Sequence, residues 1–199
     1  MMMTRTQLKV NRPWTRRDVR PIESVPTRET LEDDMVEIVS ATTPAHMAQV
    51  RELFVEYAAW LGISLCFQGF DEELESLPGR YARPGGLLLL GLDGNSPVCC
   101  IGMRPMEDGV CEMKRLYVRP SHRGQGLGQT LVLRVLRAAE DLGYKSMRLD
   151  TLPVMASARQ LYARLGFREI EPYYTNPVEG VVYMEIALPV APNDPGASN

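Results

Sequence analysis

Between residues 127 and 142 apolar side chains return every third or fourth position, at Leu127, Leu131, Val135, Ala138, Ala139 and Leu142. That period is the stripe of an amphipathic helix. It recurs over 43–62, through Met47, Val50, Leu53, Phe54, Tyr57 and Leu61, where Gly62 supplies the stop. A third stripe runs through Ala158, Leu161, Tyr162 and Leu165, ended by Gly166 and Phe167. The segment 70–81 predicts a short helix stopping before Pro78. Apolar runs predict strands at 35–41, 109–118, 145–151, about 168–174 and 181–188, with a hairpin over 86–105 around a Gly/Asp/Asn turn. The order β-α-α-β-β-β-α-β-α-β-β describes an α/β fold, a mixed sheet covered by helices.

The strand at 109–118 breaks its own alternation. Cys111 and Met113 are apolar on one parity, Leu116 and Val118 on the other. A one-residue slip exchanges the faces of a strand, so one extra residue near Lys114–Arg115 would return all four to one side. The spacing therefore predicts a β-bulge there. The alternative is an ordinary strand half buried on both faces.

Composition narrows the class. The chain has 199 residues, 45% of them hydrophobic, enough for one good core. Residues 1–34 and 190–199 lack periodicity and read as a flexible extension and a disordered tail around a domain at 35–189. A net charge of −3 gives nucleic acid and anionic membranes no general attraction, and no apolar run approaches the roughly 20 residues of a spanning helix. A cytoplasmic protein is the expectation. Cys66, Cys99, Cys100 and Cys111 show no paired spacing, and His46 and His122 are the two histidines, so no metal site is expected. Cys99 and Cys100 lie in an apolar run and read as buried thiols.

The functional signal lies where the helix at 127–142 begins. Gly124, Gln125, Gly126, Leu127 and Gly128 enter it with no Ser, Thr or Asp to cap its first amides. Bare amides at the positive end of a helix, free of Cβ atoms, form a cradle for phosphate, and Arg123 adds a charge beside it. A dinucleotide-binding turn is one alternative, because Asp150 ends the next strand where a ribose-binding acid would stand. Against it, the glycines follow GxGxG, and "RPSHR" separates them from the preceding strand. A P-loop is excluded because no Gly-Lys-Ser/Thr follows.

"RGQGLG" at 123–128 and "ARQLYARLGF" at 158–167 give the chain a resemblance to the GNAT superfamily of N-acetyltransferases. Arg123, Gly126 and Gly128 fall on the defining positions of its Q/R-x-x-G-x-G/A loop, and the element order matches over roughly 35–189. The resemblance implies a mostly antiparallel sheet splayed at a bulged strand, with helices on both faces. It implies acetyl-CoA as co-substrate, its pyrophosphate on amides 124–128. The pantetheine arm would lie along Leu116, Tyr117 and Val118, in a gap beside the strand at 146–151, with Ala158 also facing the cofactor. Bulge amides would then stabilise the oxyanion of acyl transfer.

Transfer to an amine needs a base, since an aliphatic ammonium of pKa ~10 is no nucleophile. Glu112, on the central strand, is the candidate that the resemblance supports; pairing with Lys114, Arg115 or another cation is the other reading, and a water chain is a third. The departing thiolate, of thiol pKa ~8.5, needs a proton, and a phenol near ~10 carries one at neutral pH. Tyr162 stands at the position the resemblance assigns to that acid, although its spacing alone describes a core tyrosine. Met155 departs from the pattern, because family members often carry Asn there to hold the pantetheine.

For the acceptor, the resemblance points to the segments 66–70 and 172–180. Phe67, Gln68, Phe70, Tyr173, Tyr174 and Asn176 would line an apolar pocket with a few polar anchors, or else pack the small subdomain. The expected partner is a primary amine of a small molecule, amino acid or peptide, with no nucleic acid and no membrane; a homodimer is an expectation carried by the resemblance alone. A non-catalytic acetyl-CoA-binding regulator on the same fold remains the alternative at this point.

Overall fold

The computed structural model describes residues 36–190, so the expected extension at 1–34 and all but Val190 of the tail at 190–199 lie outside the described residues. Seven strands form one sheet: β1 (Glu37–Ser40), β2 (Leu87–Asp93), β3 (Ser96–Pro105), β4 (Val110–Val118), β5 (Ser146–Thr151), β6 (Arg168–Ile170) and β7 (Val182–Ala187). Their order is β1-β2-β3-β4-β5-β7-β6, and β4 with β5 is the parallel pair among antiparallel ones. The helices are α1 (Pro44–Leu61), α2 (Phe70–Ser76), α3 (Leu127–Asp141) and α4 (Ala156–Arg164). A doubly wound parallel sheet is thereby excluded, and with it the dinucleotide-binding alternative.

Helix α1 starts where Thr43 Oγ1 accepts from the His46 amide and Pro44 occupies the first turn, and it ends on Gly62 at φ 67°. Its buried face, Val50, Leu53, Phe54 and Tyr57, packs with Leu88, Leu90, Cys100 and Tyr117 on one side of the sheet. Helix α3 buries Leu131, Val132, Val135, Leu136 and Ala139 against Ile101, Met103, Cys111 and Met147 on the other. The predicted stripe thus holds at its centre but not at its end: Leu142 closes the helix and is 45% exposed.

The short helix predicted within 70–81 stops at Ser76, before Pro78 as expected, and a separate 3-10 turn occupies Gly79–Tyr81. The strand expected to 174 ends at Ile170, and Tyr173 and Tyr174 stand in a loop.

The bulge is present. Cys100 pairs with Tyr117 but Gly102 with Lys114, so two residues of β4, Arg115 and Leu116, oppose the single Ile101 of β3. Arg115 absorbs the extra residue at φ 59°, a left-handed conformation that costs a non-glycine residue about 1–3 kcal/mol. Its consequence is the predicted one: Cys111, Met113, Leu116 and Val118 all pack into the cluster under α3. Beyond Glu112, which pairs with Arg148, no residue of β4 pairs with β5, while β5 continues beside β7 to Thr151. The sheet parts there.

Candidate active site

The parting of β4 and β5 leaves a narrow chamber of about 30 Å³, with Met113, Lys114, Arg115 and Leu116 on one wall and Leu149, Asp150, Thr151 and Leu152 on the other. Tyr57, Gln68, Met155, Tyr162 and Asn176 also line it, together with the apolar Leu61, Ile63 and Leu65. Leu116 and Met155 also line a groove of about 510 Å³ that opens to solvent. Groove and chamber therefore adjoin at Leu116 and Met155, the one wide and the other narrow.

At the outer end lies the glycine turn. Gly124 and Gly126 adopt φ of 82° and 79°, and a Cβ at either would find open space, so backbone conformation rather than crowding calls for glycine. Gly126 is the N-cap of α3, and no side chain bonds the amides that follow. Gly124, Gly126, Leu127, Gly128, Tyr117, Val118, Arg123 and Ala158 all line the groove, whereas Gln125 stands in the turn outside that lining. Arg123 is held in place: its Nε donates to the Val118 carbonyl at 3.0 Å and its guanidinium lies 4.8 Å from the centre of the Trp60 ring. The bare amides, the fixed cation and the groove's volume fit a pyrophosphate-bearing thioester such as acetyl-CoA.

At the inner end, Tyr162 is 4% exposed and leans on Phe167, its ring centre 5.7 Å away. Burial, with smaller contributions from Tyr57 and Asp150, drives its phenol far above the usual range, so it stays protonated. Burial likewise pushes Tyr57, in the same chamber, up to about 12.

Glu112 does not face this chamber. It sits where β4 and β5 still pair, accepting from Arg104 Nε at 2.7 Å and from the Tyr173 hydroxyl at 2.9 Å, with Lys114 Nζ 3.5 Å away. Of the readings open at the sequence level, pairing with cations is the one its geometry displays. The carboxylate in the wall is Asp150, bound by Lys114 Nζ at 2.5 Å. Burial works to raise its pKa, but Lys114 and the Tyr174 hydroxyl outweigh burial and hold it below the usual carboxylate range. Both acids lie on the same face and share Lys114; Glu112 stands where β4 and β5 still pair, and Asp150 stands beyond that point, in the wall of the splay.

The expected acceptor residues divide. Gln68 and Asn176 line the chamber, and both donate to the Tyr174 hydroxyl, at 3.2 and 3.0 Å. Tyr173 and Tyr174 stack with Tyr183 behind it, ring centres 5.1–5.4 Å apart. Phe70 is outside the wall; it is a core residue, 8% exposed, with the Arg115 guanidinium 5.2 Å from its ring centre. Phe67 belongs to the 3-10 turn Cys66–Gln68, and its side chain lies outside what the structure describes. Arg115 is locked by Glu73, with 2.6 and 3.0 Å bonds, and by Gln68 at 2.9 Å, which fixes the strained bulge from α2.

Trp60, Tyr57, Asp150 and Thr151 are wall residues that the sequence did not single out for this site. Among the described residues no cluster of His, Cys, Asp and Glu is arranged to hold a metal. Cys99, Cys100 and Cys111 are buried free thiols and Cys66 an exposed one. No helix among them is long and apolar enough to cross a membrane.

A sheet that opens around a bulge, with a bare helix start at the mouth of the opening, is the architecture of an acyltransferase. Residues 47–167 match the family described as acetyltransferase (GNAT) family, and the chain belongs to it. An uncharacterized N-acetyltransferase of Schizosaccharomyces pombe is 39% identical over 155 residues, covering 77% of this chain and 95% of its own. One from Dictyostelium discoideum is 30% identical over 202 residues, covering 70% and 94%. Among solved structures, a GNAT-family acetyltransferase of Staphylococcus aureus (TM-score 0.66, 19% identity) matches 77% of this chain and 99% of its own. The PaiA N-acetyltransferase of Thermoplasma acidophilum, in complex with coenzyme A (TM-score 0.62, 18% identity), matches the same shares. At these identities the two structures speak for the fold.

Proposed function

We propose that the protein moves the acetyl group of acetyl-CoA to a primary amine of a small molecule, amino acid or peptide, by direct transfer with both substrates bound. One observation carries the reading: the glycine turn lines a groove that adjoins, at Leu116 and Met155, a chamber walled by a protonated phenol and an ionised carboxylate. Acetyl-CoA supplies the activated thioester. The chain's residues do the rest.

Amides 124–128 and Arg123 bind the pyrophosphate and fix the direction of entry. Arg115 and Leu116 have no register partners on β3, and amides at this bulge would donate to the thioester oxygen. Asp150 draws the acceptor's ammonium into the chamber; being a weak base, it passes the released proton onward to water. Tyr162 gives its proton to the departing sulfur and recovers one from the attacking nitrogen, so the phenol is unchanged after turnover. Glu112, in this account, holds the closed end of the site together.

The test is release of free thiol from acetyl-CoA across a panel of primary amines. Amine-dependent release is expected. Tight binding of acetyl-CoA with no turnover on any amine would instead favour the non-catalytic regulator.

A further inference from the structure

Thr151 ends β5 at the inner wall of the chamber and is 1% exposed. Its hydroxyl is fully buried and has no hydrogen-bond partner among the described residues. Nearby wall residues are apolar: Leu149, Leu152 and Met155. A buried hydroxyl without a partner destabilises a fold by about 1–3 kcal/mol, and valine would fill the same shape on a strand without that loss. An orphaned polar atom on a residue that lines the chamber is one that a ligand there would satisfy. Its alternation settles the direction. Met147, Leu149 and Thr151 share the face of β5 that is turned to α3 and α4, the side on which Gly126, Ala158 and Tyr162 stand. Asp150 points to the opposite face, toward Lys114 and Tyr174.

We propose that the Thr151 hydroxyl is a binding residue for the arm of the acyl-CoA, hydrogen-bonding an amide group of the pantetheine just before the thioester. The inference rests on the acyl-CoA reading above and deepens it. A hydroxyl can donate to an amide oxygen or accept from an amide N–H, which matches a ligand carrying both. The start of α4 offers no competitor in the chamber itself, since its N-cap Met155 is apolar and makes no capping bond and Ser157 lines the outer groove instead. β4 can contribute main-chain groups, but its side chains Leu116 and Val118 are apolar and offer no hydrogen bond. Thr151 thereby marks how far the arm must reach before the sulfur meets Tyr162.

The test compares the full-length protein with Thr151→Val and Thr151→Ser by calorimetric titration, using CoA and its nucleotide half, 3′-phosphoadenosine 5′-diphosphate, as probes. Melting temperatures of the unliganded proteins are read alongside. Thr151→Val is expected to weaken CoA by about 3- to 10-fold, the worth of one hydrogen bond, and to leave the nucleotide half unchanged. Thr151→Ser should restore CoA affinity. The unliganded valine variant should melt no lower than the parent, because no internal bond is removed. Equal CoA affinity for parent and valine variant overturns the proposal and leaves the acyl-CoA reading standing. Equal weakening of both probes, or a lowered melting temperature, makes Thr151 structural and overturns it too. A parent protein that binds neither probe overturns the acyl-CoA reading itself.

Discussion

Tyr162 and Glu112 were equally plausible as chemistry, and their surroundings separate them. The Tyr162 phenol lines the chamber and stays protonated, whereas both Glu112 oxygens are taken by Arg104 and Tyr173. Replacing Tyr162 by Phe is predicted to lower kcat by about 10²-fold or more while acetyl-CoA affinity stays within about twofold. Steady-state kinetics with a verified amine, together with a binding titration, check both halves; unchanged kcat would remove Tyr162 from the mechanism. Glu112→Ala should behave oppositely. Loss of a carboxylate that is 3% exposed strands Arg104 and the Tyr173 hydroxyl, while Lys114 keeps Asp150, so a stability loss of about 3 kcal/mol is expected by urea unfolding. A fully folded Glu112→Ala enzyme with abolished kcat would instead return Glu112 to the role of base.

At the scale of elements, the bulge and the glycine turn position everything else. The bulge was legible because it left a trace in one strand: the parity of apolar residues reverses between Met113 and Leu116. The turn was legible because capping residues are missing where a helix must start. What the sequence could not display was pairing between distant segments. Asp150 faces the chamber because β4 and β5 stop pairing after Glu112, and Trp60 stacks on Arg123 because α1 ends beside β4. Phe70 takes the second of its two open readings for the same reason: it packs in the core, with Arg115 above its ring. Gly126→Val provides the test at this scale. At φ 79° a β-branched residue is strained, and its side chain would project beside the amides. Acetyl-CoA affinity should fall by about tenfold or more in calorimetry, with the far-UV spectrum retained; unchanged affinity would mean the amides do not hold the phosphate.

The whole molecule places two cores on either side of one sheet, and the polar network at the parting of β4 and β5 ties them together. Arg119 extends that tie, bonding Glu52 and Glu56 of α1 from the end of β4. Within the network, burial acts to raise Glu73 and Asp150, but Arg115 and Tyr81 on the one, and Lys114 and Tyr174 on the other, hold both pKa values below the usual range. A carboxyl whose pKa is lower folded than unfolded binds fewer protons in the native state. Its stabilisation is complete above the unfolded value of about 4 and is lost as pH falls through the folded one. Melting temperature should therefore decline below about pH 4, and Asp150→Asn should flatten that decline. A decline of the same steepness in the variant would show that the network does not control acid stability.

The central claim is that this split sheet takes up an acyl-CoA through the cradle at 124–128. Isothermal titration of the purified protein with acetyl-CoA, with NAD as the matched comparison, tests it most directly. The account predicts one-to-one binding of acetyl-CoA and no heat from NAD. Absence of acetyl-CoA binding, or preference for NAD, would contradict it.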